Sequence, residues 1–289
     1  MEVLFLGSGG GRFATITQRK RTGGFRITFN KEIMQVDPGP GAILTSSELG
    51  LDPRRVTSLF VTHCHPDHYT DAEVVIEAMT YGMTRRRGVL LSVKSVLEGD
   101  GRIGPAISKY HRERVKESVM MEAGEEFSLG GYSVRATEAK HSDPYTVGFQ
   151  LRGNKDWEIL SYTSDTEYYR ELEREHSGAR VLIANVTRPG KDRIRWHLCT
   201  EDALRLADEI GPELMVVTHM GLKMIQKGPE SECQRIEEET GVRTVPADTG
   251  LRVIIDKDSV SFKKMLPRQS SLLEFGGANP WIKNTTTKK

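Results

Sequence analysis

The stretch THCHPDHYTD, residues 62–71, sets three histidines and two aspartates within ten positions of a chain that has only eight histidines. His63, His65, Asp67 and His68 form the pattern H-x-H-x-D-H. In an extended segment, side chains two positions apart point the same way, so His63 and His65 can reach one ion. Pro66 stiffens the bend that follows, and Asp67 and His68 turn toward a second ion. Imidazole and carboxylate suit zinc, manganese or iron, and a carboxylate can bridge two ions. A polar turn with surface histidines is the bland alternative, and this spacing argues against it.

Working outward, SLFVT (58–62) reads as a strand that runs into the cluster. Thr70, with Glu73 three residues on, makes a capping-box pattern ahead of AEVVIEAMTYG (72–82). The cluster is therefore expected between a strand end and a helix start. VLFLG (3–7), FRITF (25–29), EIMQVD (32–37), TVGFQL (146–151), EILSYTS (158–164), VLIANVT (181–187) and ELMVVTH (213–219) also read as strands. FSLGGYSVRATEA (127–139) reads as a hairpin turning at Gly130-Gly131. VLLSVKSVLEG (89–99) suggests strand then helix, and SKYHRERVKESV (108–119) a polar helix. Ser164 with Glu167 predicts a capped helix ending near Gly178; Thr200 opens another that closes at Gly211 and Pro212. Strand blocks alternating with helices predict an α/β (α+β) protein with two layers of sheet covered by helices. No linker or internal repeat divides residues 1–261, which read as one domain. Residues 262–289 lose periodicity and read as a partly disordered C-terminal extension.

At 289 residues, 37% hydrophobic and 28% charged, the chain can bury a real core. A net charge of +1 gives no global argument for binding nucleic acid or a membrane surface, so any attraction to polyanions must be local. No apolar run approaches the ~20 residues of a membrane span. Cys64, Cys199 and Cys233 are too few and too scattered for a disulfide framework, which points to a reducing, cytoplasmic setting.

H-x-H-x-D-H after a strand resembles the hallmark of the metallo-β-lactamase-fold superfamily. The resemblance implies a four-layer αββα sandwich and three downstream ligands, one His, one Asp and one His, each at a strand end. His141 in EAKHSD, Asp165 in YTSDTE and His219 in VVTHMG supply them in order. Carried over by motif, His63, His65 and His141 would hold one divalent ion and Asp67, His68 and His219 a second, with Asp165 bridging. Two such ions, zinc first with manganese or iron as alternatives, would generate a bridging hydroxide that attacks an ester, and Asp67 would also orient it. Asp37 in QVDPGPG matches the acidic residue that orients histidine ligands in this superfamily; a simple Asp-Pro-Gly turn is the alternative. Diiron oxygen-reducing members carry glutamate where this chain has His65, which favours hydrolysis. An iron-dependent oxidoreductase or dioxygenase, or a lactone or thioester hydrolase, stays open on the same fold.

WHLCTEDALRLADEIGPELMVVTHMG (196–221) is similar to the C-terminal part of the ribonuclease Z and cyclic-phosphodiesterase branches. His197 matches a histidine near the scissile phosphate there, a position suited to a general acid. The opening FLGSGGGRF (5–13) is similar to that of ribonuclease Z-like proteins, and its glycines can offer backbone N–H groups to an anion or make a tight turn. Departures are also present. GLKM follows the last ligand, leaving Lys223 as the candidate contact to a substrate phosphate, and no Gly/Pro-rich arm for clamping tRNA lies between His68 and His141. Arg85-Arg86-Arg87 and KYHRERVK (109–116) are basic runs of the kind usually found on solvated faces. The expected activity is metal-dependent hydrolysis of a small-molecule or nucleic-acid phosphodiester, by a chain that could also pair as a homodimer.

Overall fold

The computed structural model describes residues 1–155 and 157–265. Six strands open the first sheet: β1 (Glu2–Phe5), β2 (Phe25–Phe29), β3 (Glu32–Val36), β4 (Ser58–Val61), β5 (Val89–Ser92) and β6 (Glu117–Met120). The second sheet follows with β7 (Glu126–Leu129), β8 (Tyr132–Glu138), β9 (Val147–Arg152), β10 (Ile159–Tyr162), β11 (Val181–Arg188), β12 (Leu198–Cys199), β13 (Leu214–Thr218) and β14 (Thr244–Pro246). The chain then returns to the first sheet as β15 (Leu251–Ile255) and β16 (Val260–Lys264), giving the order β16-β15-β1-β2-β3-β4-β5-β6. The second sheet runs β14-β13-β11-β10-β9-β8-β7, with β12 beside β11. Each sheet is antiparallel at one end and parallel at the other: β3 to β6 in the first, β10, β11, β13 and β14 in the second.

Alternation explains the layering. On β11 and β13, Val181, Ile183, Leu214 and Val216 face the core between the sheets, while Leu182, Ala184, Met215 and Val217 pack outward under helices. Strands buried on both faces read as continuous apolar runs, as these do. Across the inter-sheet core, Phe60 stacks on Phe149 at 5.1 Å and Phe25 meets Tyr162 edge-on at 4.9 Å. With the helices outside, this is the αββα sandwich expected from the sequence.

The helices are α1 (Arg12–Thr17), α2 (Ala42–Glu48), α3 (Pro66–Tyr69), α4 (Ala72–Met79), α5 (Lys94–Leu97), α6 (Lys109–Arg112), α7 (Leu172–Glu175), α8 (Thr200–Ile210), α9 (Leu222–Lys227) and α10 (Pro229–Thr240). Gly130 and Gly131 take φ of 58° and 83°, the left-handed pair that a two-residue hairpin turn needs.

Four local expectations are corrected. Pro66 starts α3 as its own turn, so the Thr70 hydroxyl donates to the Pro66 carbonyl instead of capping α4. Ser164 does not open a helix either: at φ 55° its hydroxyl donates to Thr62 Oγ1 at 2.9 Å, and helix appears only at α7. The polar stretch 108–119 gives only the four-residue α6 before the chain extends into the edge strand β6. The boundary expected at 261/262 falls inside β16, so the sheet continues to Lys264; the rest of the expected extension, from 266 on, lies outside the described residues.

One titratable group is buried in this scaffold without a charged partner. His176 Nδ1 meets the Ser161 hydroxyl at 2.6 Å, and burial, with Arg135 nearby, pushes its imidazole down to about 3. Between that value and the 6.5 of an unfolded chain, only the unfolded state takes the proton, so stability falls as pH drops through this window. At pH 5 the loss attributable to His176 is about 2 kcal/mol relative to pH 7. Guanidinium unfolding at both pH values should show it, and His176→Gln should remove that share. Equal slopes for the two proteins would refute the assignment.

Candidate metal centre

The first-sheet strand β4 and the second-sheet strands β8, β10 and β13 end on the same side of the sandwich. The segments after them carry, respectively, His63 to His68, His141, Asp165 and His219. Three groups of donor atoms converge there, each with its atoms within 4.8 Å of one another: His63, His65, His141 and Asp165; Asp67, His68 and His219; and Asp165, His197 and His219. Six of the chain's eight histidines are in this one cluster. Asp165 is at its middle. Its Oδ2 is 3.8 Å from His63 Nε2, 3.7 Å from His141 Nε2, 3.6 Å from His68 Nε2, 3.2 Å from His219 Nε2 and 3.5 Å from His197 Nε2.

The surroundings fix which nitrogen each ring presents. Asp37 can only accept, and it takes the Thr62 N–H at 2.8 Å, the Thr62 hydroxyl at 2.8 Å, His68 Nδ1–H at 3.0 Å and the Tyr162 hydroxyl at 3.0 Å. Because the hydroxyl hydrogen of Thr62 goes to Asp37, its oxygen accepts from His63 Nδ1–H at 3.1 Å. His141 Nδ1–H donates to the Trp196 carbonyl at 3.0 Å, and His219 Nδ1 meets Thr187 Oγ1 at 3.0 Å. Four rings thus turn Nε2 inward. His65 instead turns Nδ1 inward, 3.0 Å from His63 Nε2 and 3.1 Å from His141 Nε2.

This arrangement fits a cation. His63 Nε2 and His141 Nε2 are bare lone pairs by the tautomers above, and the ring nitrogen of His65 stands between them. His68 Nε2 is buried with no hydrogen-bond partner, a costly state unless an ion takes its lone pair. Burial drives His63 and His65 below the ordinary histidine range and His141 to about 4, so these rings stay neutral. Burial would likewise neutralise Asp67 and Asp165, but His68 and His219 overcome it and hold both carboxyls well below the usual range. At His68 burial opposes charge, yet Asp37, Asp165 and Asp67 raise it well above 6.5. A cation would displace that proton.

Backbone and neutral side chains complete the site. The opening glycines turn backbone toward the site: Gly11 N–H donates to Asp67 Oδ2 at 2.7 Å, so the anion they bind is the protein's own carboxylate. A Cβ on Gly10 would lie 2.1 Å from the His219 ring, which requires glycine there. Asn185 donates to Asp165 Oδ1 at 2.7 Å and to the Tyr162 hydroxyl at 3.1 Å. Asp37, Ser164, Trp196 and His219 all sit at positive φ (46°, 55°, 72° and 55°). Such strain persists only where neighbours over-determine it, and here it gathers around one site.

Of the other expected residues, His197 lies at the cluster's edge with Nδ1–H on the Arg195 carbonyl at 3.1 Å. Burial opposes charge on it, but the bond to Asp165 raises its proton affinity. Lys223 is not among the converging groups. Its ammonium pairs with Asp192 at 2.9 Å. The basic run is committed elsewhere, Arg86 to the Val115 carbonyl at 3.2 Å and Arg87 to that of Arg54 at 2.8 Å.

Comparison with known proteins identifies the family. The family model described as the beta-lactamase superfamily domain matches residues 34–220, from within β3 to just past His219. An uncharacterised protein of Methanocaldococcus jannaschii, MJ1374, is 46% identical over 255 residues, 88% of this chain and 94% of its own length. Ribonuclease Z of Thermococcus gammatolerans is 34% identical over 251 residues, covering 82% of this chain and 68% of that protein. Among solved structures, the metallo-beta-lactamase fold protein YhfI from Bacillus subtilis aligns with a TM-score of 0.71 at 16% identity, over 87% of this chain and 97% of that one, a likeness of fold. The chain belongs to the beta-lactamase superfamily and, within it, to the ribonuclease Z-like branch.

Proposed function

We propose that the protein is a dinuclear metal-dependent phosphodiesterase. The observation that carries this reading is His197, whose Nε2 is 3.5 Å from the central Asp165 carboxylate and whose protonated form that carboxylate favours. A proton donor beside the donor cluster is what cleavage of a P–O bond to a poor leaving group requires. His63, His65 and His141 would hold one cation and Asp67, His68 and His219 the other, with the Asp165 carboxylate available to both. The bound pair, zinc by this nitrogen and oxygen set with manganese and iron as alternatives, supplies an ionised water and neutralises phosphoryl charge. Asp67, steadied by the Gly11 N–H, orients the attacking water, and Asp37 holds the His68 ring in its ligating tautomer. His197 gives its proton to the departing oxygen. Among the described residues no helix is long and apolar enough to cross a membrane. The three free, buried cysteines suit a reducing cytoplasm.

A panel of bis-p-nitrophenyl phosphate, dinucleotides, cyclic nucleotides, a lactone, a thioester and a precursor tRNA tests the reaction class. Lactone or thioester turnover without phosphodiester turnover sinks the proposal, as does one tightly bound iron with oxygen uptake. His197→Ala tests the acid. With an alkoxide leaving group, kcat/KM should fall by roughly 10²–10⁴-fold. With p-nitrophenolate, which needs no proton, the fall should be far smaller, and metal content should not change. Loss of metal in this variant would instead make His197 a ligand, through its grouping with Asp165 and His219.

A further inference from the structure

His197 also forms part of the wall of a cavity of about 380 Å³, within the range of small-molecule sites. The loop between β11 and β12 supplies Arg193 and Arg195 to this cavity, α8 supplies Arg205, and Tyr168 also lines it. Two carboxylates share the wall, and both are engaged. Buried Asp202 accepts the Arg193 guanidinium and the Cys199 N–H at 3.1 Å, and Glu167 accepts the Trp196 N–H at 3.1 Å. Arg195 lies over the Trp196 ring at 4.2 Å and Arg205 over Tyr168 at 5.3 Å. Neither has a carboxylate partner among the described residues. A guanidinium with no carboxylate partner keeps N–H groups for an oxyanion.

We propose that this cavity is a substrate subsite for a second phosphoryl group, carried on the leaving-group side of the scissile phosphodiester, with Arg195 and Arg205 as its recognition residues. The inference rests on the phosphodiesterase reading for the position of the scissile group. The side follows from His197, which serves the departing oxygen and lines the cavity. The loop is coupled to the centre, since its Trp196 carbonyl holds the His141 ring and its Arg195 carbonyl the His197 ring. The subsite therefore selects substrates whose leaving group bears a further phosphate, a property of nucleotide chains and of phosphorylated small molecules alike.

Binding tests it without turnover. Metal-loaded protein should bind thymidine 3′,5′-bisphosphate at least tenfold more tightly than either thymidine monophosphate by calorimetry. The Arg195→Gln/Arg205→Gln double variant should lose that ratio, and the Arg195→Lys/Arg205→Lys pair should keep part of it; metal content and melting temperature report that both fold. Equal affinity for the three ligands in the wild type, or a ratio that survives in the glutamine variant, overturns the subsite. Turnover of UpU against UpU with a terminal phosphate then separates the two readings. Absence of turnover on every diester defeats the phosphodiesterase assignment, while the binding ratio still decides the subsite. Equal turnover with a retained binding ratio places the second phosphate away from the leaving group and overturns the proposal as stated.

Discussion

Replacing Asp165 by asparagine is expected to lower bound metal from two ions per chain to one or fewer and to cut hydrolysis by roughly 10²–10³-fold. The reason lies in the neighbour on each side of the carboxylate. Asn185 donates to Oδ1 at 2.7 Å, which would fix the new amide with its oxygen there. The NH2 group then replaces Oδ2, the atom that faces Nε2 of five histidines. A donor in that place can bind no cation and meets bare lone pairs. The bridging charge is lost along with one ligand atom for each ion. Metal analysis after dialysis against zinc, paired with turnover of bis-p-nitrophenyl phosphate, reads both effects. Two ions per chain retained in this variant would mean that Asp165 is not shared between them.

Asp37 should be the costliest position for stability. Asp37→Ala leaves four buried donors without an acceptor: the Thr62 N–H and hydroxyl, His68 Nδ1–H and the Tyr162 hydroxyl. Breaking a buried, hydrogen-bonded charge site of this kind costs about 3–5 kcal/mol. Losing the partner that orients a ligating histidine lowers metal affinity by about 10–100-fold. Asn at this position separates the two effects. It tolerates the φ of 46° and keeps one acceptor, so much of the stability should return. It cannot supply the carboxylate that holds Nδ1–H of His68, so the metal affinity should not. Denaturation of the metal-free variants and zinc titration of the folded ones measure the two quantities separately. If Asn restores both, the charge on Asp37 is irrelevant to the centre.

The candidate donors were legible because their chemistry resides in side-chain types: His63, His65, Asp67 and His68 stand in one motif, and the resemblance that motif carries pointed to His141, Asp165 and His219, which the fold brings to the same cluster. The strands were legible for a related reason. β11 and β13 bury both faces, and continuous β-branched runs have few other uses. What holds the ligands was mostly silent. Thr62 and Thr187 look like ordinary strand residues, yet each meets a histidine Nδ1. The Trp196 carbonyl that fixes His141 is backbone and has no letter of its own. The two failed helix starts share a cause. Thr70 and Ser164 each lie beside the cluster, and hydrogen bonds made by the surrounding turn and network displaced the local capping pattern. The edge strand β6 was hidden by its polar residues, which have no strand outside them among the described residues.

Asp67 and His219 meet across 152 positions of chain and from opposite sheets. During synthesis from the N-terminus, the H-x-H-x-D-H segment is made long before Asp165 and His219, and it has no bridge until they emerge. On the proposed assignment, loading of two ions would be a late event that requires the second sheet to be in place. A chain terminated before His219 would carry most of the donors and still present an incomplete cage. Full metal occupancy would thus report that the second sheet has folded against the first.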